Sequence, residues 1–341
     1  MADLIPRPSG RGGERGQLLL IAAFIIAVSF VALALVVNSA IFTENLATRD
    51  DVAGSEDALD HRHEVEQSIE ETITEINQNN TILDDYSTSN LDTPVMENIE
   101  QIATQTGLQQ TAQGRVVNIT LDGVETGKKI AQDSNRTFSN KTGKKENWII
   151  AENVNRTRNF RINITEPPSE ELSGDPFTIE AKEGTALGDP AWRLEIGNDP
   201  SSSDVEIRVS YGSLSTLDAE IEQCTREFDE YVIIDVTAGT IDGEPCHALT
   251  QKSDGTPMWF ANNIAILSDY DIEFKNGNVT SGTYSFIIDE GDPEDDNLGN
   301  PNDDEPYWKH AIYSARVSYA YYTDDVGYST KIGGAPGRLP P

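Results

Sequence analysis

The chain has 341 residues, with 58 acidic side chains against 25 basic ones and a formal net charge of −33. A surface this acidic repels nucleic acid and anionic headgroups, which excludes both as partners of the charged region. Self-repulsion of this size opposes a compact fold in dilute buffer, but at molar salt the Debye length falls to about 3 Å, so the composition, with 15 Arg to 10 Lys, points to a halophile.

The first predicted element is residues 17–43, which contain no charged side chain and are almost wholly apolar from Leu18 to Val37. At helical rise they would extend about 40 Å, more than a hydrocarbon core of about 30 Å. Arg7, Arg11 and Arg15 precede the run, against Asp3 and Glu14, and Glu44, Arg49, Asp50, Asp51, Glu56 and Asp57 follow it. By the positive-inside rule the tail is expected inside and everything beyond Phe42 outside. A removable secretory signal would have a shorter apolar region and a small-x-small site, which Asn38-Ser39-Ala40 matches poorly. The expectation is therefore a retained single-pass anchor, with the lipid bilayer as the partner of this helix.

Beyond it Val52, Leu59, Val65, Ile69, Ile73 and Ile76 recur among charged residues as a narrow apolar stripe, predicting a long exposed helix that ends at residues 77–80. A second amphipathic helix is expected from Pro94 to about Gln110, with Gly107 a weak point near its end. From Arg115 the period becomes two. Strands are predicted at 116–121, 148–151, 160–165, 177–181, 192–196, 205–211, 231–237, 271–275, 283–289, 311–323 and 327–332. Turns are expected around Gly123 and Gly127 and at Asn276-Gly277, a short helix carrying Cys224 over 214–228, and loops over 166–174 and 289–306. The expected fold class is α+β: an N-terminal transmembrane helix continuing into an exposed helical stalk, then a mainly antiparallel β-sandwich-like head. The expected boundaries are 1–16 for a cytoplasmic tail or leader, 17–43 for the transmembrane helix, 44–113 for the stalk and 114–341 for the head.

The chemistry available is limited. His61, His63, His247 and His310 are the whole histidine supply, and His61-Arg62-His63-Glu64 lacks the spacing of a zinc protease. There is no G-x-S-x-G elbow, and the stretch from Gly123 to Lys129 falls one residue short of a P-loop. The acidic loop 289–306 lacks the ligand order of an EF-hand and reads as solvated. No catalytic, metal or cofactor site is expected, and the chain is not expected to be an enzyme. Cys224 and Cys246 allow a disulfide, two free thiols, or a metal site with His247; the disulfide is favoured because both cysteines follow the apolar run. Asn79, Asn118, Asn135, Asn140, Asn155, Asn163 and Asn278 each begin an N-x-S/T sequon and are candidate glycosylation sites.

Glu14-Arg15-Gly16-Gln17-Leu18-Leu19-Leu20 resembles the class III signal cut by archaeal prepilin peptidases, which implies a leader-processing site at Arg15, Gly16 and Gln17. Further stretches, among them Asn147-Trp148, residues 160–165 and residues 311–315, are similar to uncharacterised haloarchaeal pilin-like membrane proteins. The resemblance implies a surface protein with an N-terminal helix, a β-rich head and other pilin-like subunits or envelope proteins as partners. Bacterial type IV pilins carry Glu at the fifth mature position, where this chain has Ile21. The expected function is a pilin-like or filament-associated extracellular subunit, with an uncleaved envelope protein bearing an adhesion or ligand-binding head as the alternative.

Overall fold

The structure, a computed structural model, describes Leu33 and residues 56–78, 91–202, 204–216, 221–251, 255, 260, 269–301, 304–324 and 326–335. Two helices lead, α1 (56–78) and α2 (Asp92–Thr111). The strands are β1 (Val116–Thr137), β2 (Trp148–Val154), β3 (Thr157–Glu166), β4 (Phe177–Lys182), β5 (Pro190–Asn198), β6 (Val205–Ser213), β7 (Ile221–Arg226), β8 (Val232–Asp235), β9 (Thr240–Ile241) and β10 (Glu244–Pro245). After a one-turn helix α3 (His247–Thr250) come β11 (Tyr270–Lys275), β12 (Ser281–Ile288), β13 (Asp292–Pro293), β14 (Tyr307–Tyr322) and β15 (Gly327–Gly334).

Among the described residues these strands make two sheets, and every strand pair in them is antiparallel. One has eight strands in the order β10-β9-β8-β3-β12-β1-β14-β15, the other seven in the order β13-β2-β11-β4-β5-β6-β7. Alternation builds the interior: Phe160, Ile162 and Ile164 of β3 and Phe286 and Ile288 of β12 meet Ile179, Leu194, Ile207, Ile272 and Phe274 of the second sheet in one cluster. Aromatic rings fill its centre, with Phe138 stacked on Phe177 at 4.7 Å and Phe274 edge-on to both Phe177 and Tyr284.

The first sheet outgrows the sandwich. β12 pairs with β1 only from Lys128 onward, whereas β14 follows β1 from Val116↔Tyr322 to Ala131↔Tyr307. The projecting β1–β14–β15 ribbon carries Ile119, Ile312, Val317, Tyr319, Tyr321 and Ile332 into a second core, closed by Val65, Ile69, Ile73 and Ile76 of α1 and Val95 and Ile99 of α2. From Val65 onward the stripe on α1 thus faces a sheet, while Leu59 stays exposed. Gly114 ends α2 in a left-handed conformation, φ 76°, with the Arg115 N–H returning to the Gln110 carbonyl.

Several expectations are corrected. The helical region is not an exposed stalk, because a stripe of this width buries against the ribbon. No helix among the described residues is long and apolar enough to cross a membrane, which overturns the expected fold class, the transmembrane stalk and the single-pass localisation. The run 17–43 that motivated them, Leu33 apart, lies outside the described residues, as do Val52 and the Arg15–Gln17 leader site. Gly123 and Gly127 do not turn the chain. β1 passes straight through them with two bulges, and Gly127 is required because a Cβ there would lie 2.2 Å from the Ile288 carbonyl oxygen. Residues 221–226 are strand rather than helix, held by pairing with β6 from Val205↔Arg226 to Ser210↔Ile221. Asn276, at φ 54°, does make a turn, but it passes the chain from one sheet to the other instead of closing a hairpin.

Candidate functional site

The sequence-selected residues do not converge. Cys224 on β7 and Cys246 just before α3 are disulfide-bonded, with Cα atoms 6.1 Å apart. β7 and β10 are the terminal strands of the two sheets, so the bond staples the sandwich along one open side. Arg226 reinforces the same seam through Asp242 at 3.0 Å and Glu244 at 2.9 Å. The histidines are dispersed. His61 is buried and shares a 2.9 Å hydrogen bond with the Tyr319 hydroxyl, and burial lowers its pKa. His63 lies beside Glu66 on α1, His247 opens α3, and His310 sits edge-on to Trp308 on β14. No group of three or more His, Cys, Asp or Glu placed to hold a metal occurs among the described residues.

The acidic loop is tied down by partners. Asp289 pairs with Arg156, Asp292 with Lys128, and Asp295 accepts from the Trp308 indole. The sequons divide by exposure. Asn118, Asn135, Asn155 and Asn278 are exposed, Asn163 is half-buried on β3, and Asn79 lies outside the described residues. Asn140 is buried, with its side-chain oxygen accepting from the Lys144 and Lys145 amides.

Two arrangements were not anticipated from the sequence. One covers the face of the second sheet opposite its core. There Glu180, 1% exposed, lies between Lys275 at 2.8 Å and Arg193 at 2.9 Å, with Lys182 beyond, and Glu195 pairs with Arg208 at 2.7 Å. Burial alone would push the Glu180 carboxyl up, but Lys275 and Arg193 outweigh it and hold it below its usual range. The alternation of Glu180 between Ile179 and Ala181 was visible, as was Lys182 two residues on, but Lys275 of β11 and Arg193 of β5, on the two flanking strands, become partners only through the register.

The other is a groove in the first sheet beside the last turn of α1. Its deeper end is a cavity of about 110 Å³ to which Gln78 of α1, Lys129 of β1, Asn159 and Arg161 of β3, and Ser285 of β12 contribute. Arg161 and Ser285 also line an adjoining cavity of about 240 Å³ with Gln132, Asp133, Asn163 and Thr283. Lys129 is half-buried, makes no ion pair or hydrogen bond among the described residues, and stands directly across from Lys309. Burial lowers its pKa, with Asp133 acting in the opposite sense. Arg161 is bound to Asp235 at 2.7 Å. Gln132 is fully buried; its side-chain nitrogen donates to the Arg136 and Gly282 carbonyls, which leaves its oxygen without a donor. The arrangement has cation, amide and hydroxyl groups suited to holding a polar ligand, and no nucleophile–base pair.

Residues 12–159 are similar to a family described as a family of unknown function (DUF7261). The matched region takes in both long helices, β1 and β2 and stops just inside β3, short of the disulfide and of most of the second sheet. No curated protein and no solved structure matches the chain.

Proposed function

We propose that the chain is a structural or interaction subunit, filament-associated and working outside the reducing cytosol, rather than an enzyme. The observation that carries this reading is the way the charged and sulfur-bearing side chains are used. The disulfide and the Arg226 pairs staple the two sheets, and the Glu180 and Glu195 pairs brace one face. These are fixed, mutually neutralising contacts, which suit a rigid frame. Disulfides persist in oxidising compartments, and the exposed acidity suits concentrated salt. The family resemblance of the N-terminal half supplies no activity of its own.

The test is chemical cross-linking of the native protein in molar salt, followed by mass spectrometry of the linked peptides. Reproducible links between copies of this chain, or to one other protein, are expected. A monodisperse monomer with no partner above background would overturn the subunit reading. A second reading, a ligand-binding head, is favoured by the groove at Lys129.

A further inference from the structure

The two sheets have four terminal strands, and three of them are guarded. β10 and β13 are two residues long and each ends in a proline, Pro245 and Pro293. β7 carries Glu222 and Arg226, has α3 packed against it and is held by the disulfide. Brevity, proline, charge and cover are the common protections of a sheet edge. β15 is long, regular and free of proline. It runs from Gly327 to Gly334, pairs with β14 without a bulge, and has no strand on its other side among the described residues. α1 tracks β14, through His61–Tyr319 at one end and Asn77–Ile312 at the other, so residues 327–331 stay half-buried or exposed. The open edge of β1 before Lys128 differs, being broken by a bulge at Asp122 and followed by Glu125.

Two observations choose the occupant of the β15 edge. The first is charge. A basic partner would settle on the acidic surface, whereas a second copy, itself at −33, meets least repulsion where charge is absent or cancelled. β15 has one charged residue, Lys331, and Asp122 of β1 engages it at 2.9 Å. The second is that the strand reads alike in both directions about Thr330. A two-fold axis normal to the sheet sets Thr330 opposite its own copy, Ser329 opposite Lys331, Tyr328 opposite Ile332 and Gly327 opposite Gly333. Glycine then meets glycine, and Tyr328 meets Ile332 on the helix side, where both already pack in one core. An axis through Lys331 would instead oppose two ammonium groups. We infer that β15 pairs antiparallel with β15 of a second copy about Thr330, joining two three-stranded ribbons into one six-stranded sheet. The inference rests on the subunit reading and supplies its contact.

The competing account makes Lys331 itself the guard and leaves the edge in water. Sedimentation of the full chain in molar KCl separates the two, at high protein concentration because one strand pair is a small interface. The wild type should dimerise reversibly. Ser329→Glu faces Lys331 of the other copy twice per dimer and should tighten association by about threefold or more, while Ser329→Lys should weaken it by as much. Net charge alone demands the reverse order, since a glutamate adds to −33 and a lysine subtracts from it. On mild oxidation Thr330→Cys, on the axis, should link to its own copy. Ser329→Cys, two residues out of register and so roughly 8 Å from its copy, should not. Circular dichroism establishes that the variants are folded. A dimer that shows the net-charge order or no order, or that fails to link through Thr330→Cys, would place the contact elsewhere and overturn the inference while the subunit reading stands. A chain that stays monomeric to about 1 mM also overturns it, and the subunit reading then depends on cross-links to another protein.

Discussion

Asn77 offers the sharpest test of how the helices are held. It sits in the last turn of α1 and is 4% exposed. Its side-chain nitrogen donates to the Ile312 carbonyl at 2.8 Å, and its oxygen accepts the Ile312 N–H at 2.8 Å. β15 pairs with β14 only between Ala315 and Tyr322, so at Ile312 the amide of Asn77 takes the place of a neighbouring strand. Asn77→Ala strands one N–H and one C=O in a buried setting, each worth about 1–3 kcal/mol. Water entry offsets part of this, and we predict a loss of about 2–4 kcal/mol, a large share of the roughly 5–15 kcal/mol typical of a domain. Asn77→Asp keeps the acceptor but loses the donor when ionised; protonation restores an O–H, so its deficit relative to wild type should shrink as pH falls. Urea unfolding at constant molar KCl reads the stability, and hydrogen exchange at the Ile312 amide reads the local contact. A loss below about 0.5 kcal/mol, or unchanged exchange at Ile312, would refute the idea that this amide anchors α1 to the ribbon.

The other predictions concern charge, sulfur and modification. The folded pKa of His61 is lowered, chiefly by burial, so its contribution is intact above the unfolded value near 6.5 and declines as pH falls from there toward the folded value. His310 is shifted the same way by burial and Lys128, so His61→Gln should remove only part of the loss of melting temperature between neutral and mildly acidic pH; an unchanged profile would reject the assignment. Glu180→Ala removes the buried carboxylate shared by Lys275 and Arg193 and leaves Glu273 alone to balance Lys182 and Lys275, so it should cost about 3 kcal/mol, even in molar salt, because buried pairs are little screened. By contrast Glu125→Ala, on an exposed network with Arg156 and Arg316, should cost under about 1 kcal/mol and less as salt rises; equal, salt-sensitive losses at both sites would contradict this. Reducing the disulfide releases a 22-residue separation and should cost about 3 kcal/mol in the chain-entropy model, read as a shift in urea midpoint with and without reductant. If the native protein carries N-glycans, glycopeptide mass spectrometry should find them at exposed Asn118, Asn135, Asn155 or Asn278 and not at Asn140, whose side chain is locked inside its turn.

The strands were legible where one face alternates cleanly: Phe160, Ile162 and Ile164, or Ile207 and Val209, declare a half-buried strand with no help from neighbours. Residues 221–226 were not, because Glu222, Gln223 and Arg226 favour either structure in isolation and only pairing with β6 decides. The glycines of β1 misled for a similar reason. Gly127 answers to the backbone of β12, more than a hundred residues away in the chain, and local turn chemistry says nothing of that approach. Of the stripe on α1, Val65, Ile69, Ile73 and Ile76 are buried and Leu59 is exposed, and a sequence does not say whether such a stripe meets solvent, a partner or its own sheet. The groove was illegible for the plainest reason. Lys129, Gln132, Arg161 and Ser285 have ordinary identities and no motif spacing, and they meet only after β1, β3 and β12 are laid side by side.

One consequence of the long β1–β14 pairing concerns force. The two strands run alongside each other from the helix-clad ribbon into the sandwich, so both cores hang on a single ladder. Tension applied along that ladder, between the free end of the ribbon and the sandwich, acts at right angles to its hydrogen bonds. Both strands are continuous over that span, so the load passes down two covalent backbones and the bonds between them are not opened one after another like a zip. A chain built this way resists stretching along its length far better than peeling from its edge. The disulfide, sited at the opposite side of the sheets, lies off that line and contributes nothing to bearing the load.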